Sequence, residues 1–330
     1  MTFRPQFCPR EHCPSHAGAP FAYRDRGYFH RRCDHRTVQR FRCLACQQSF
    51  SEQTFRLSYR LKRPELLAPF FLDRVSKVSH RQSARIHPCS RSTEERHFRR
   101  LSAHCLGFHA LRLEQIKTSG GLGEVFSLDE LETYEHNRRQ KPLTVPILIE
   151  RESGFVIDTR VGTLPARGRS RQRPVPAVAQ GGELRKSESV EVVQAAFERL
   201  EAVSPKDRPL TVLTDMKTSY ERILRNLFGA RCLHRRIHST LPRDPMNPLF
   251  AINHTLARVR DGVSRLVRRT WCGTKSRRWL AGHLAIWTCY RNYVLRRTNR
   301  VWETPAMALG AQTAFWQVDD LLRWRIFSWT

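Results

Sequence analysis

Four cysteines near the start of the chain are spaced as metal ligands. Four residues separate Cys8 from Cys13, and two separate Cys43 from Cys46. Two thiolate pairs, each on a tight turn, can close a tetrahedron around Zn²⁺. The first residues lack the apolar core of a secretory signal, which favours metal binding over disulfides for so cysteine-rich a segment. The spacing therefore predicts a structural zinc site.

Other side chains in this region are alternative zinc ligands. Cys33 or a nearby histidine could replace one cysteine or help to bind a second ion. The histidines are His12, His16, His30 and His35. The simpler interpretation, which we favour, is that these histidines are exposed to solvent beside arginines and bind no metal. A module of about fifty residues buries too little apolar surface to fold unaided, so the metal would supply much of its stability.

Two aspartates lie at the ends of predicted strands. Asp129 follows the apolar residues of GEVFSL, and Asp215 follows the buried-type strand Leu210 to Leu213. The predicted order is strand, hairpin, helix, strand, helix, and neighbouring strands of one sheet bring such ends together. Two carboxylates there could share Mg²⁺ or Mn²⁺ and support phosphodiester chemistry. Because aspartate at a strand end is also a common helix cap, the pattern alone leaves both interpretations open. Glu130 is expected to point away along the strand.

The chain carries a large positive charge. Lys and Arg total 58 against 30 acidic residues, which gives a formal charge of +28. Such an excess repels itself unless a polyanion neutralises it, so a nucleic acid is the expected partner. Composition does not distinguish DNA from RNA. No stretch is apolar for long enough to cross a bilayer, so we expect a cytoplasmic protein without a membrane partner.

The segment after Arg63 has helical periodicity. A short helix is predicted from Ser79 to about Ile86, followed by a turn and a second helix from about Ser92, where Ser92 and Glu95 form a capping box. Two short helices joined by a tight turn are typical of a helix-turn-helix. The second helix would present arginines to a major groove: Arg91, Arg96, Arg99 and Arg100. A plain helical linker is the alternative.

A second basic segment follows Asp215. Its predicted helix, from Leu256 to Arg269, and the residues after it would grip phosphates. The side chains proposed for this role are Arg258, Arg260, Arg265, Arg268 and Arg269 of the helix and, after it, Lys275, Arg277 and Arg278. Trp271 nearby could stack on a base, although core packing is the more common role of such aromatics. The Arg-, Pro- and Gly-rich stretch 164–187 has no periodicity and is predicted to be a mobile loop.

Several of these segments, in this order, resemble parts of bacterial insertion-sequence transposases of the Asp-Asp-Glu type. The similar segments are RFRCLACQQSFS at the second cysteine pair, SLDELETY and TVLTDMKTSY at the two aspartates, the long basic helix that begins in NPLFAINH, and ETPAMALG near the end. The resemblance implies an α/β protein with an N-terminal zinc ribbon, a helix-turn-helix, and a ribonuclease-H-like mixed sheet flanked by helices. The boundaries it implies are 1–56, 60–118, 121–300 with the insert 164–187, and a tail over 301–330.

The resemblance also implies an activity. The protein would bind element-end DNA and catalyse metal-dependent cleavage and strand transfer, with Asp129 and Asp215 binding Mg²⁺ or Mn²⁺. Its partners would be double-stranded DNA, at the element ends and at the target, and further copies of itself. It would act on the nucleoid in a bacterial cytoplasm.

The sequence departs from the family pattern at the third acid. That position holds Asn253, followed by His254, and the closest downstream acid is Asp261, about two helical turns later. Three interpretations stay open: an active triad that uses Asp261, an active variant that uses Asn253 or His254, and a degenerate protein that binds DNA without cutting it. The alternative function is therefore a non-cleaving DNA-binding regulator or decayed transposase. A zinc-ribbon transcription factor is a third possibility, but it would not need strand-end acids followed by a basic helix.

Overall fold

The computed structural model describes residues 3–16, 21–32, 34–166, 185–238, 240–268 and 271–324. Its contacts divide the chain into two units. Met1–Phe70 and Val318–Thr330 form the first, and Phe71–Gln317 forms the second. Among the helices of the described residues, none combines the length and the apolar composition needed to span a bilayer.

The first unit is built on a small antiparallel sheet. Its strands are β1 (Tyr23–His30), β2 (Thr37–Cys43) and β3 (Ser49–Ser51), in that order across the sheet. Three short 3-10 helices, Pro14–His16, Glu52–Phe55 and Pro64–Leu66, flank it in the chain. Its small core consists of aromatic rings and cysteines, including the buried Phe41, Phe50 and Phe55. Helix α1 (Leu67–Val75) begins in the first unit and ends in the second.

The second unit contains a mixed sheet. Its strands are β4 (Val125–Tyr134), β5 (Pro142–Glu150), β6 (Val156–Thr159), β7 (Gly162–Thr163), β8 (Leu210–Thr214) and β9 (Cys232–Arg236). The order is β6-β5-β4-β8-β9, and β7 also pairs with β5. Pairings among β4, β5 and β6 are antiparallel, whereas β4, β8 and β9 run parallel. Every residue of β5 is buried, as expected for a strand covered on both faces.

Helices flank this sheet. They are α2 (His80–Ile86), α3 (Arg91–Thr118), α4 (Ser189–Val203), α5 (Thr218–Phe228), α6 (Phe250–Gly262), α7 (Arg277–Tyr293) and α8 (Pro305–Ala308); α9 (Val318–Arg323) belongs to the first unit. One apolar cluster joins β4 and β5 to α6 and α7 through Leu131, Ile147, Ile252 and Leu284. Helix α6 is therefore fixed against the strand that carries Asp129.

Helices α2 and α3 occupy the segment where a helix-turn-helix is predicted, but such a module is not shown. Helix α3 is 28 residues long, and its first-turn cap is Ser90, whose hydroxyl accepts a hydrogen bond from the amide of Thr93 at 3.2 Å. The predicted cap at Ser92 was therefore two residues late. One face of α3, with Phe98, Leu101 and Cys105, is buried, and α3 packs against α7 within the second unit. The contacts thus place α2 and α3 with the mixed sheet, whereas the sequence predicts a separate module over 60–118.

Candidate active site and metal centre

The four N-terminal cysteines converge in the first unit. The Sγ atoms of Cys8, Cys13, Cys43 and Cys46 all lie within 4.8 Å of one another. Two of the separations are 3.5 Å, from Cys8 to Cys46, and 3.8 Å, from Cys13 to Cys43. Four sulfurs at a Zn–S distance of about 2.3 Å form a tetrahedron with edges of about 3.8 Å. The donors therefore fit Zn²⁺, and the geometry matches a closed structural site.

Local turns bring the two cysteine pairs to this point. The amide of Cys13 donates to the carbonyl of Arg10, and the amide of Cys43 to the carbonyl of Gln48, both at 3.0 Å. Gln47 has a φ of 59°, which tightens the second turn. Nδ1 of His16 lies 2.7 Å from the carbonyl oxygen of Cys8, so this ring contacts the backbone of a cysteine. Among the described residues, no other set of three or more His, Cys, Asp or Glu side chains brings its ligand atoms this close together; Cys33 lies outside them.

The two aspartates lie at the same level on adjacent strands. Strands β4 and β8 are parallel, and Ser127 pairs with Leu213. Asp129 and Asp215 are each two residues further along their strands, so their backbones are neighbours at the carboxyl end of β8. Neighbouring strands are about 4.8 Å apart, which is close enough for two carboxylates to share a cation.

Each aspartate is held by a backbone amide from its own segment. Oδ1 of Asp129 accepts from the amide of Glu130 at 2.7 Å, and Oδ1 of Asp215 accepts from the amide of Lys217 at 3.1 Å. Neither Oδ2 atom bonds to any residue that the structure describes. One oxygen of each carboxylate is thus available to a ligand. Hard divalent cations prefer such oxygens.

Burial raises the pKa of Asp129 from its ordinary value of 3.8 to about 6. The hydrogen bond from the amide of Glu130 lowers it, whereas the negative charges of Asp215 and Glu130 raise it and the charge of Arg243 lowers it. Ionisation of Asp129 is therefore unfavourable in free energy in the metal-free protein, and a bound divalent cation would offset this penalty.

Replacing Asp129 with asparagine should stabilise the metal-free protein in a pH-dependent way. Between pH 3.8 and about 6 the native state holds a proton on Asp129 that the unfolded state has lost, so the stability of the wild type falls as pH rises through this range. We expect Asp129→Asn to raise the free energy of unfolding by on the order of 2 kcal/mol at about pH 8, and by nothing measurable below about pH 4. Denaturant unfolding at both pH values, without added divalent metal, measures this. An equal effect of the exposed control Asp207→Asn would contradict it.

A cavity of about 570 Å³ surrounds the two aspartates. Asn253, on the first turns of α6, lines it with Asp129 and Asp215. His254, the next residue, also lines the cavity. Glu130 and three arginines, Arg243, Arg260 and Arg268, also line it. A neutral oxygen donor and three cations thus face a pair of acids.

Asp261 lies elsewhere. Its carboxylate forms an ion pair with Lys77, and its side chain is 78% exposed. It is absent from the lining of the acidic cavity as the structure describes it. Of the positions proposed for the third ligand, the geometry brings Asn253 and His254 to the aspartates, whereas Asp261 faces solvent near the end of α6.

The arginines predicted to bind DNA on α6 and after it divide into different environments. Nε of Arg258 donates to Nε2 of His254 at 3.2 Å, and Arg258 also donates to the carbonyl of Arg296. Burial, and after it the charge of Arg74, lower the pKa of Arg265 to about 10. Arg268 is exposed and lines the cavity, and Lys275 is exposed without lining it; Arg269 lies outside the described residues.

The four arginines predicted on α3 do not line the acidic cavity. Arg91 forms an ion pair with Glu95 at 2.6 Å, and Arg99 lies over the ring of Trp279 at 5.4 Å. Arg96 is exposed, and burial lowers the pKa of the partly buried Arg100. A contact of these side chains with DNA stays a prediction.

Arg260, one of the basic residues predicted to bind phosphates, lies seven residues after Asn253, so both side chains share a face of α6. The remaining cavity arginine, Arg243, was not singled out from the sequence. Arg243 lies between β9 and α6 in a Pro-rich segment that has no periodicity to indicate its direction. The guanidinium groups of Arg243, Arg260 and Arg268 form no hydrogen bond or ion pair with any described residue. Unpaired cations beside two carboxylates suit a polyanionic ligand.

No protein-family model matches the chain, and no curated protein matches it. Several solved structures show a distant likeness. The Mos1 strand transfer complex is 12% identical over 74% of this chain and 73% of that one, with a TM-score of 0.31. The Mos1 mariner paired end complex with Mn is 11% identical over 71% and 70%, with a TM-score of 0.32. The catalytic domain of Mos1 mariner transposase is 12% identical over 58% and 91%, with a TM-score of 0.27. None of these TM-scores is high enough to establish a shared fold.

Proposed function

We propose that this protein is a DDE-type transposase that cuts DNA at the ends of a bacterial insertion sequence and joins it to a target. The observation that carries the proposal is the cavity in which Asp129 and Asp215, each with an unbonded carboxylate oxygen, face three unpaired arginines. A pair of carboxylates suits a divalent cation, and unpaired arginines suit a phosphodiester. The antiparallel hairpin strands and parallel crossover of the mixed sheet support a ribonuclease-H-like catalytic domain.

Asp129 and Asp215 would hold Mg²⁺ or Mn²⁺, with Asn253 as a neutral third donor. The bound cations would supply Lewis acidity toward the phosphate and lower the pKa of an attacking water. The chain's own residues do the rest. Arg243, Arg260 and Arg268 would bind the phosphate oxygens and orient the strand, and no covalent protein intermediate is needed.

The first unit would bind the ends of the element. Four convergent thiols beside a three-stranded antiparallel sheet support a zinc ribbon, with Zn²⁺ as a structural ion. The formal charge of +28 supports double-stranded DNA as the partner. Two ends must be brought together before joining, so the active form would be a homo-oligomer assembled on DNA in the nucleoid.

A strand-transfer assay tests this function. Purified protein with Mn²⁺ and a DNA fragment carrying the element's own ends should release and join those ends. The second candidate function, a DNA-binding regulator without cleavage, is favoured by the neutral Asn253 in the position of an acid. Zinc-dependent binding to the ends without cleavage, in the presence of Mn²⁺ or Mg²⁺, would support that candidate and contradict the transposase.

Substitution of Asn253 should slow cleavage, whereas substitution of Asp261 should not. Asn253→Ala removes an oxygen donor from the cavity, and we expect cleavage to fall by about tenfold to a hundredfold. Asp261→Ala should leave cleavage within about twofold, because it removes only an exposed ion pair with Lys77. Initial rates over a range of Mn²⁺ concentrations measure both effects. Loss of cleavage in Asp261→Ala with normal cleavage in Asn253→Ala would instead restore Asp261 as the third ligand.

A further inference from the structure

Glu130, the residue after Asp129, lies in a dense network of hydrogen bonds. Its Oε1 accepts from the hydroxyls of Thr144 and Ser189, both at 2.7 Å. Its Oε2 accepts from the hydroxyl of Tyr220 at 2.6 Å and from the ammonium group of Lys217. These partners come from β5, α4, α5 and the residue just before α5. The network therefore connects β4, which carries Asp129, to β5, α4 and the start of α5.

The carboxylate of Glu130 has no capacity left for a metal ion. A carboxylate offers about four lone-pair sites, and Glu130 fills all four with donors. Burial raises its pKa, but the hydrogen bonds from Lys217, Tyr220, Ser189 and Thr144 outweigh burial and lower the pKa overall. Glu130 is thus an anion held by the protein, in contrast to the half-free carboxylates of Asp129 and Asp215.

Glu130 and Lys217, which form an ion pair with each other, are also the two residues whose backbone amides hold the aspartates. The amide of Glu130 donates to Asp129, and the amide of Lys217 donates to Asp215. The side chains of the same two residues form an ion pair that links the middle of β4 to the segment after β8. A second bond, from Nζ of Lys217 to the hydroxyl of Ser189 at 2.6 Å, fixes the ammonium group from the side of α4.

We propose that the Glu130–Lys217 ion pair is a positioning brace that sets the separation of Asp129 and Asp215 and so their joint affinity for a divalent cation. This inference depends on the proposed function, because it assigns these aspartates to metal binding. Carboxylates held at a fixed separation bind a cation without first reorganising. Breaking the brace would leave both ligands present but free to move apart.

Equilibrium Mn²⁺ binding to the zinc-loaded, full-length protein tests the brace without reference to cleavage. The free Mn²⁺ signal in electron paramagnetic resonance gives the dissociation constant. We expect Glu130→Gln and Lys217→Met each to raise it about tenfold or more. The double variant should bind no more weakly than the weaker single variant, because the two residues act as one unit. Glu221→Gln, which removes a half-buried acid on α5 that pairs with Arg225 and Arg236, is the matched control and should bind normally.

The direction in which Lys217→Met changes the dissociation constant for Mn²⁺ distinguishes the brace from direct binding of the cation by Glu130. If Glu130 were itself a ligand, removing the competing ammonium group would leave Mn²⁺ binding unchanged or tighten it, and that result would overturn the brace. Unchanged binding in both single variants would also overturn it while leaving the transposase proposal intact. Failure of the wild type to bind Mn²⁺ would overturn the proposed function and the brace together.

Tyr220→Phe provides a milder test if Glu130→Gln does not fold. It removes one donor to Oε2 of Glu130 and keeps the buried ring. We expect a smaller increase in the dissociation constant for Mn²⁺, with Lys217 still paired to Glu130. Thermal unfolding without metal accompanies each variant. A drop in the unfolding midpoint with an unchanged dissociation constant would show a merely structural role and contradict the brace.

Discussion

Asp215→Asn is expected to reduce metal-dependent DNA cleavage by on the order of a thousandfold. The substitution keeps the shape of the side chain and its position after β8, but it replaces an anionic ligand with a neutral amide. Loss of one negative charge weakens the binding of a divalent cation at the pair, and the remaining carboxylate cannot hold the cation in the same place. Single-turnover cleavage of end-labelled DNA at saturating protein measures the effect.

DNA binding should survive the same substitution. The charge of +28 is carried by side chains throughout the chain, so removing one acid leaves the attraction to phosphates intact or slightly stronger. Gel-shift assays without divalent metal should give a dissociation constant within about twofold of the wild type. Asp207→Asn, an exposed acid before the other end of β8, is the matched control and should cleave normally. Normal cleavage by Asp215→Asn would rule out the proposed metal site.

Features that depend on local spacing could be predicted from the sequence. Cys8, Cys13, Cys43 and Cys46 converge as expected, because each pair lies on a turn made by its neighbours in the chain. The strand-end prediction holds for Asp215, which follows β8, but not for Asp129, because β4 continues beyond it to Tyr134. The two aspartates are still neighbours, because the parallel pairing of β4 with β8 places them at the same level.

Features that depend on distant partners could not be predicted. Glu130 was expected to point away along its strand, yet its carboxylate borders the acidic cavity and binds Lys217, Ser189 and Tyr220. Those partners lie between 59 and 90 residues further along the chain, so no local pattern contains them. Strand alternation states which face a side chain takes, but it does not state which segments will pack against that face.

The environments of the basic residues also depend on distant packing partners and could not be predicted from the sequence. Arg258, Arg265 and Arg268 look alike in the sequence, which predicts one helix from Leu256 to Arg269, whereas α6 ends at Gly262. In the structure, Arg265 is partly buried and repelled by the charge of Arg74, Arg258 bonds to His254, and Arg268 faces the cavity. Helical periodicity alone would have paired Asn253 with Arg260 on one face of α6. The packing of α6 against β4 and β5 decided which face meets the acids.

Removal of zinc is expected to unfold the first unit while the second unit keeps its structure. The core of the first unit is a few aromatic rings packed around the four cysteines, including Phe41, Phe50 and Phe55. A structural zinc ion in such a site contributes about 10 kcal/mol or more of apparent binding free energy, which exceeds the stability of most small cores. The larger apolar cluster of the mixed sheet contains none of the four cysteines, so its stability should not depend on the ion.

Hydrogen–deuterium exchange of the full-length protein, with and without a zinc chelator, distinguishes the two units. Amides of β2 and β3 should lose protection by at least about a hundredfold when zinc is removed, whereas amides of β5 should be unchanged. Cys43→Ser should reproduce the chelated state and lower the bound zinc below one equivalent. Cys232→Ser, a cysteine outside the cluster, should bind zinc normally. Retained protection in β2 after complete zinc removal would show that the aromatic core is sufficient without the ion, and the cysteines would then need another explanation.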